Sequence, residues 1–135
     1  MLRSLHRFFV ARPHLLLAMV VGITLITFVI TLLPVDNIVP QRALSYDKIA
    51  HVLIFGGWTF ILGYYRLLTR TAWHRLGWVC VSGIAFGALV EVLQHFLPFG
   101  RHGDLYDLLF DAVGSVLALL ILYKIKRLLQ VELKN

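Results

Sequence analysis

The sequence has little charge and almost no cysteine. Only 15% of its 135 residues are charged, whereas 59% are hydrophobic. That is more apolar surface than a soluble domain of this size buries in one core. The single cysteine, Cys80, excludes an intrachain disulfide. No long polar segment remains for a soluble domain, a linker or a repeat, so the composition indicates a single integral membrane domain over residues 1–135.

Four stretches are apolar enough to cross a membrane. They cover residues 15–33, 49–65, 76–97 and 105–123. A spanning helix needs about 20 mostly apolar residues, so the sequence predicts an all-α polytopic membrane protein, a four-transmembrane-helix bundle. Residues 32–35 offer no small-residue cleavage site, which favours a retained first helix over a signal peptide.

The basic residues divide unequally between the two sides of such a bundle. All but three of the thirteen Lys and Arg residues fall on the side that carries both termini, the exceptions being Arg42, Lys48 and Arg101. By the positive-inside rule, this pattern predicts that both termini are cytoplasmic. The formal net charge of +6 is then a mark of topology and of contact with membrane lipids, and we expect no nucleic-acid partner.

Six of the seven acidic residues lie on the other, outer side, and the exception is Glu132. Asp104, Asp107 and Asp111 are spaced i, i+3 and i+7, which places them on one face of a helix. A charge in hydrocarbon costs several kcal/mol unless it is paired or hydrated. These three aspartates, called the aspartate stripe below, therefore need polar or charged partners. Gly114 continues the same helix face, and its small size allows close helix packing.

Polar residues at the same depth of other elements are candidates for those partners. They begin the second helix, end the third helix and occupy the connection to the fourth: Asp47, Lys48, His51, Glu91, Gln94, His95 and Arg101. At about 1.5 Å per residue, Glu91 and Asp111 lie deepest. The sequence thus predicts a polar pocket that opens to the outer face and has these two acids at its floor.

Taken in order, these residues resemble a known family. The matching pieces are Asp47-Lys48-x-x-His51, Glu91-x-x-Gln94, Pro98 with Arg101, and Asp107 with Gly114. They are similar to the VanZ-like family of small bacterial membrane proteins over the second to fourth helices. Three residues before Gly114 the resemblance leads us to expect asparagine, and this chain has Asp111.

The resemblance implies a multi-pass protein of the bacterial cytoplasmic (inner) membrane with a role in the cell envelope. The family's namesake is associated with low-level resistance to teicoplanin, a glycopeptide antibiotic that acts at the outer face of the membrane. The resemblance supplies no reaction. No Ser/His/Asp order, metal-binding helix signature or phosphate loop stands out in the sequence, and enzyme status stays open.

Two residues are candidates for acid–base catalysis, His51 and Glu91. The candidates for ligand binding are Asp47, Lys48, Gln94, Arg101, Asp107 and Asp111, with the two cations suited to an anion such as phosphate or carboxylate. Glu91 has alternatives as a proton carrier, a metal ligand or one half of a structural pair. The aspartates with Glu91 suit a divalent cation, or they form an ion-pair network with Lys48 and Arg101. Asp104 alone is interpreted as an N-cap.

The leading hypothesis is an envelope protein that binds, and in one version modifies, an anionic, lipid-linked or glycopeptide-related ligand. One alternative is a small proton-coupled carrier or transporter subunit that uses Glu91 and Asp111 and is completed by a homo-oligomer. Another is a structural assembly factor whose polar network sets the register of the helices.

Overall fold

The computed structural model describes residues 2–32, 47–69, 76–97 and 103–132. These residues form five helices and, within the described ranges, no strand: α1 Leu2–Ala11, α2 Pro13–Leu32, α3 Asp47–Thr69, α4 Leu76–Phe96 and α5 Leu105–Glu132. Four of them are long and apolar enough to span a membrane, over Pro13–Ile30, Lys48–Thr69, Leu76–Phe96 and Leu105–Leu128. The all-α fold with four candidate spans is therefore confirmed.

Helix α1 is an additional element that the sequence analysis did not predict. It has 10 residues, too few to span a bilayer. Pro13 separates it from α2, because proline suits the first position of a helix and restricts the residue before it. His6 Nδ1 lies 2.9 Å from the Tyr64 hydroxyl, and the Phe9 ring meets the Tyr64 ring edge-on. These contacts hold α1 against the carboxyl-terminal end of α3.

Helices α3 and α5 run parallel and approach each other closely at glycines. A Cβ atom on Gly114 would collide with the carbonyl oxygen of Val52 and lie 3.0 Å from the Gly56 nitrogen. A Cβ atom on Gly56 would lie 3.0 Å from the Gly114 carbonyl oxygen. Glycine at both positions lets the two backbones touch, as small residues do in membrane helix pairs.

Helix α4 runs antiparallel to this pair and packs across it. Thr59 on α3 donates a hydrogen bond to the Ser115 hydroxyl on α5, at 3.1 Å. Both residues are fully buried, and a Cβ atom on Gly83 of α4 would collide with the Thr59 hydroxyl. The hydroxyl pair therefore fills the space that a glycine leaves open.

Helix α2 packs on α3 and α4. Trp58 donates its indole N–H to the Thr24 hydroxyl at 2.8 Å. Phe28 packs edge-on against Phe86 of α4, with ring centroids 5.6 Å apart. These two contacts join α2 to the middle of the bundle.

The two ends of the bundle differ in chemistry. At the end where α3 and α5 terminate, Leu67, Leu76, Val79 and Leu122 form a buried apolar cluster. At the opposite end, which we call the site end, α3 and α5 begin and α4 finishes. At the site end the buried residues include the ionisable side chains of His51, Glu91 and Asp111. Along the bundle, the outward faces of the helices expose large apolar side chains, as a lipid environment requires.

Candidate functional site

A buried histidine–aspartate pair forms the centre of the site. His51 Nδ1 lies 2.7 Å from Asp111 Oδ1. His51 is 6% exposed and Asp111 is 0% exposed. His51 lies one turn inside α3, and its ring stacks on that of Phe55 with a centroid distance of 5.8 Å. The aromatic contact and the carboxylate together set the orientation of the imidazole.

Asp107 approaches the same imidazole from the other side. Its Oδ2 atom lies 3.9 Å from His51 Nε2, and its side chain is 16% exposed. Asp107 and Asp111 are one turn apart on α5, so their carboxylates flank a ring that comes from α3. Asp107 and Asp111 of the aspartate stripe therefore share a face that meets His51, as predicted, whereas Asp104 lies before the helix and its side chain is exposed.

Glu91 enters the site from α4. It is 8% exposed, and its Oε2 atom accepts a hydrogen bond of 2.8 Å from the backbone N–H of Asp104. Its Oε1 atom is buried and has no hydrogen-bond partner. One ligand atom each from Glu91, His51 and Asp111 can be chosen so that all three lie within 4.8 Å of one another.

Two glycines make the close approach of these acids feasible. A Cβ atom on Gly87 would collide with the carboxylate of Asp111, and one on Gly103 would lie 2.6 Å from the Glu91 carbonyl oxygen. Gly87 therefore opens a space in α4 that Asp111 occupies. Gly103 allows the start of α5 to press against α4 beside Glu91.

Asp104 caps helix α5, as the sequence predicted. Its Oδ1 atom accepts the backbone N–H of Tyr106 at 2.8 Å, and its carbonyl oxygen accepts the N–H of Asp107 at 3.0 Å. An aspartate at this position satisfies backbone donors that have no partner within the helix. The same residue uses its own N–H to hold Glu91, so the cap and the site share one residue.

The remaining residues predicted for ligand binding are Gln94, Lys48, Asp47 and Arg101, and the structure describes the side chains of the first two. Gln94 is buried on α4, at 6% exposure. Lys48 is exposed, and its ammonium lies over the rings of Tyr106 and Phe110, at 5.4 Å and 5.6 Å from their centroids. His95 is exposed and contacts the Phe96 ring. Arg101 and the Asp47 side chain lie outside the described part of the structure.

Two participants were not identified as site residues from the sequence. The first is the backbone N–H of Asp104, since sequence patterns identify the cap but not the carboxylate that its N–H reaches. The second is Gly87, which has a visible signal: it forms a G-x-x-x-G pair with Gly83, a pattern typical of close helix packing. The pattern could not show that the close neighbour is a carboxylate.

The chemistry of the cluster follows from its donor set. Three carboxyl groups and one imidazole can accept, donate and store protons, and the same atoms can coordinate a cation. A carboxylate hydrogen-bonded to one ring nitrogen fixes the tautomer of a histidine and stabilises its protonated form. The cluster is therefore suited to acid–base work or to cation binding.

Fold and site together define a polytopic helical membrane protein with an imidazole–carboxylate cluster inside its spanning helices. The sequence model of the VanZ/LLP1 family matches residues 5–129, nearly the whole chain. The protein belongs to this family, and the predicted resemblance is confirmed. Family membership supports a role in the cell envelope. Neither the curated proteins nor the solved structures contain a significant match to the chain.

Proposed function

We propose that this protein acts in the bacterial cytoplasmic (inner) membrane, where its His51–Glu91–Asp111 site receives an envelope-related ligand from the outer face. The observation that carries the proposal is the burial of two carboxyl groups beside a histidine within spanning segments. Burying an ionisable residue at such depth in a membrane costs free energy. Such a residue therefore indicates a functional site more often than it indicates ordinary packing.

The proposed orientation rests on the charge at the two ends. The end opposite the site carries basic residues from three helices and from the connection between α1 and α2: Arg7, Arg12, Arg66, Lys124, Lys126 and Arg127. The positive-inside rule puts that end in the cytoplasm, and the site end then faces outward. In a Cys80→Ser background, we expect a membrane-impermeant thiol reagent to label Asp36→Cys and His102→Cys in intact cells, but not Arg70→Cys. Outside labelling of Arg70→Cys would reverse the orientation.

The proposed chemistry assigns acid–base roles to His51 and Glu91. Asp111 holds one nitrogen of His51 and stabilises the imidazolium that forms when the ring takes a proton. A ligand with a hydroxyl or amine group would present its proton to this pair. Lys48 is exposed and lies one turn before His51. In this proposal it binds an anionic group on the same ligand, such as the phosphate of a lipid-linked envelope precursor.

Binding and modification are favoured over transport by the packing at the other end. A carrier needs a polar path through the whole bundle. The cluster of Leu67, Leu76, Val79 and Leu122 fills the cytoplasmic half with buried apolar side chains. A proton-coupled carrier would have to open this cluster or complete a path between copies of the chain.

Glycopeptide susceptibility provides the test. The protein is expressed in a teicoplanin-susceptible bacterium, and growth inhibition is compared for the wild type, Glu91→Gln and His51→Ala at equal membrane levels. We expect the wild type to raise the inhibitory concentration and both variants to lose the increase. His95→Ala, an exposed histidine at the same end, is the matched control and should retain it. Full protection by both site variants would refute the proposed role of the site.

A further inference from the structure

We infer that the site formed by His51, Glu91 and Asp111 binds one divalent transition-metal cation, of the Zn²⁺ or Mn²⁺ type. The inference rests on the proposed function, because it names an occupant of the same site. While an ion is bound, His51 and Glu91 would serve as its ligands and not as an acid–base pair. Its first support is geometric: one ligand atom from each residue lies within 4.8 Å of the other two. Ligands bound at about 2.0–2.2 Å from one ion lie at most about 4.4 Å apart, so only small side-chain movements are needed.

The second support is the unmatched oxygen of Glu91. Its Oε2 atom is already held by the Asp104 N–H at 2.8 Å, whereas Oε1 is buried without a hydrogen-bond partner. A buried polar atom of this kind calls for an explanation, and a bound ion is one of the standard ones. A cation between the three side chains supplies the partner that Oε1 lacks.

The donor set selects the class of ion. One imidazole nitrogen with two carboxylate oxygens is a mixed set that suits Zn²⁺ and Mn²⁺, whereas Mg²⁺ and Ca²⁺ favour oxygen ligands alone.

The surroundings resemble the outer shell of a metal centre. Metal ligands are commonly oriented by further hydrogen bonds or carboxylates, which hold their atoms in place. The Asp104 N–H holds Glu91, and the Asp107 carboxylate lies 3.9 Å from the second ring nitrogen of His51. Binding would therefore use side chains that are already positioned before the ion arrives.

The test measures metal binding by the purified full-length protein in lipid nanodiscs after treatment with a chelator. Zn²⁺, Mn²⁺, Mg²⁺ and Ca²⁺ are titrated separately by calorimetry, and bound metal is counted by elemental analysis. We expect one Zn²⁺ or Mn²⁺ per chain, a higher melting temperature when it is bound, and much weaker binding of Mg²⁺ and Ca²⁺. Failure of all four ions to bind would overturn the inference.

Variants locate the ion. Glu91→Gln, Asp111→Asn and His51→Ala should each weaken binding by at least about tenfold, while His95→Ala should leave it unchanged. Wild-type affinity in all three site variants would place the ion elsewhere and overturn the inference.

A spectroscopic measurement on the wild type keeps the test valid if a variant fails to fold. Protein labelled with ¹⁵N-histidine is loaded with Mn²⁺, and pulsed electron paramagnetic resonance should detect coupling to one histidine nitrogen. Bound Mn²⁺ without such coupling would overturn the assignment. No envelope ligand is present in these metal-binding experiments. A failure to bind metal would therefore overturn the metal site alone, and the proposed function would still be decided by the susceptibility test.

Discussion

The close backbone approach of α3 and α5 leads to a quantitative prediction about Gly114. A methyl group at this position meets the Val52 carbonyl oxygen and also lies 3.0 Å from the Val52 Cα and the Gly56 nitrogen. All three neighbours are backbone atoms, so no side-chain rotation relieves the overlap. In Gly114→Ala, helices α3 and α5 must move apart along the whole contact, and the hydroxyl pair and the histidine–aspartate pair on either side must lengthen.

The magnitude follows from a comparison with a matched variant. A Cβ atom on Gly57, also on α3, would meet nothing within 4 Å. Both substitutions gain the helix propensity of alanine, up to about 1 kcal/mol, but only Gly114→Ala adds overpacking, which costs about 1–3 kcal/mol. The difference in unfolding free energy between the two variants should therefore be about 1–3 kcal/mol.

The assay is equilibrium unfolding in mixed micelles, followed by circular dichroism for Gly57→Ala, Gly56→Ala and Gly114→Ala. Gly56→Ala should fall between the other two, because its nearest neighbour, the Gly114 carbonyl oxygen, lies 3.0 Å from the added methyl group. Equal stability of Gly114→Ala and Gly57→Ala would refute the close backbone contact between α3 and α5.

Three other substitutions test individual contacts. In Gly87→Ala the methyl group collides with the Asp111 carboxylate, so we expect loss of teicoplanin protection in the susceptibility assay at normal membrane levels; full protection would show that the carboxylate does not occupy this space. Thr24→Val removes the acceptor of the Trp58 indole bond and should lower the unfolding free energy by about 0.6 kcal/mol, the average for such bonds in a membrane, with a change in tryptophan fluorescence; an unchanged spectrum and stability would contradict the bond. Asp104→Ala removes the cap of α5 and should cost about 0.5–2 kcal/mol of unfolding free energy, while Asp104→Asn, which retains a capping oxygen, should cost less; an equal cost for both would argue against capping.

Some features of the site could be predicted because they depend on spacing along one helix. The i, i+4 relation of Asp107 and Asp111 places both on one face wherever that helix packs. The same reasoning identified Asp104 as a cap and Gly114 as a packing residue, and the structure agrees with both.

Other features depended on which helix faces which. Lys48 was expected in an anion site or an ion-pair network with the acids, and that expectation stays a prediction. The sequence did not indicate that its ammonium lies over two aromatic rings of α5. Spacing along α3 places Lys48 near the site but does not determine which face of α5 it meets. Helix α1 was missed for a related reason: a short helix at the edge of a bundle gains its stability from tertiary contacts, here those of His6 and Phe9 with Tyr64.

The sequence by itself determined the class of this protein, its four candidate membrane spans and the concentration of acids at one end. These are properties of local composition, because the free energy of transfer into a bilayer is nearly a sum over residues within a segment. Only the tertiary structure decided that Asp111 pairs with His51, which lies 60 residues away, and that Glu91 is held by the cap of α5. Such contacts depend on the relative rotation and depth of helices, which the close approach at Gly56, Gly87 and Gly114 sets and which no single segment encodes.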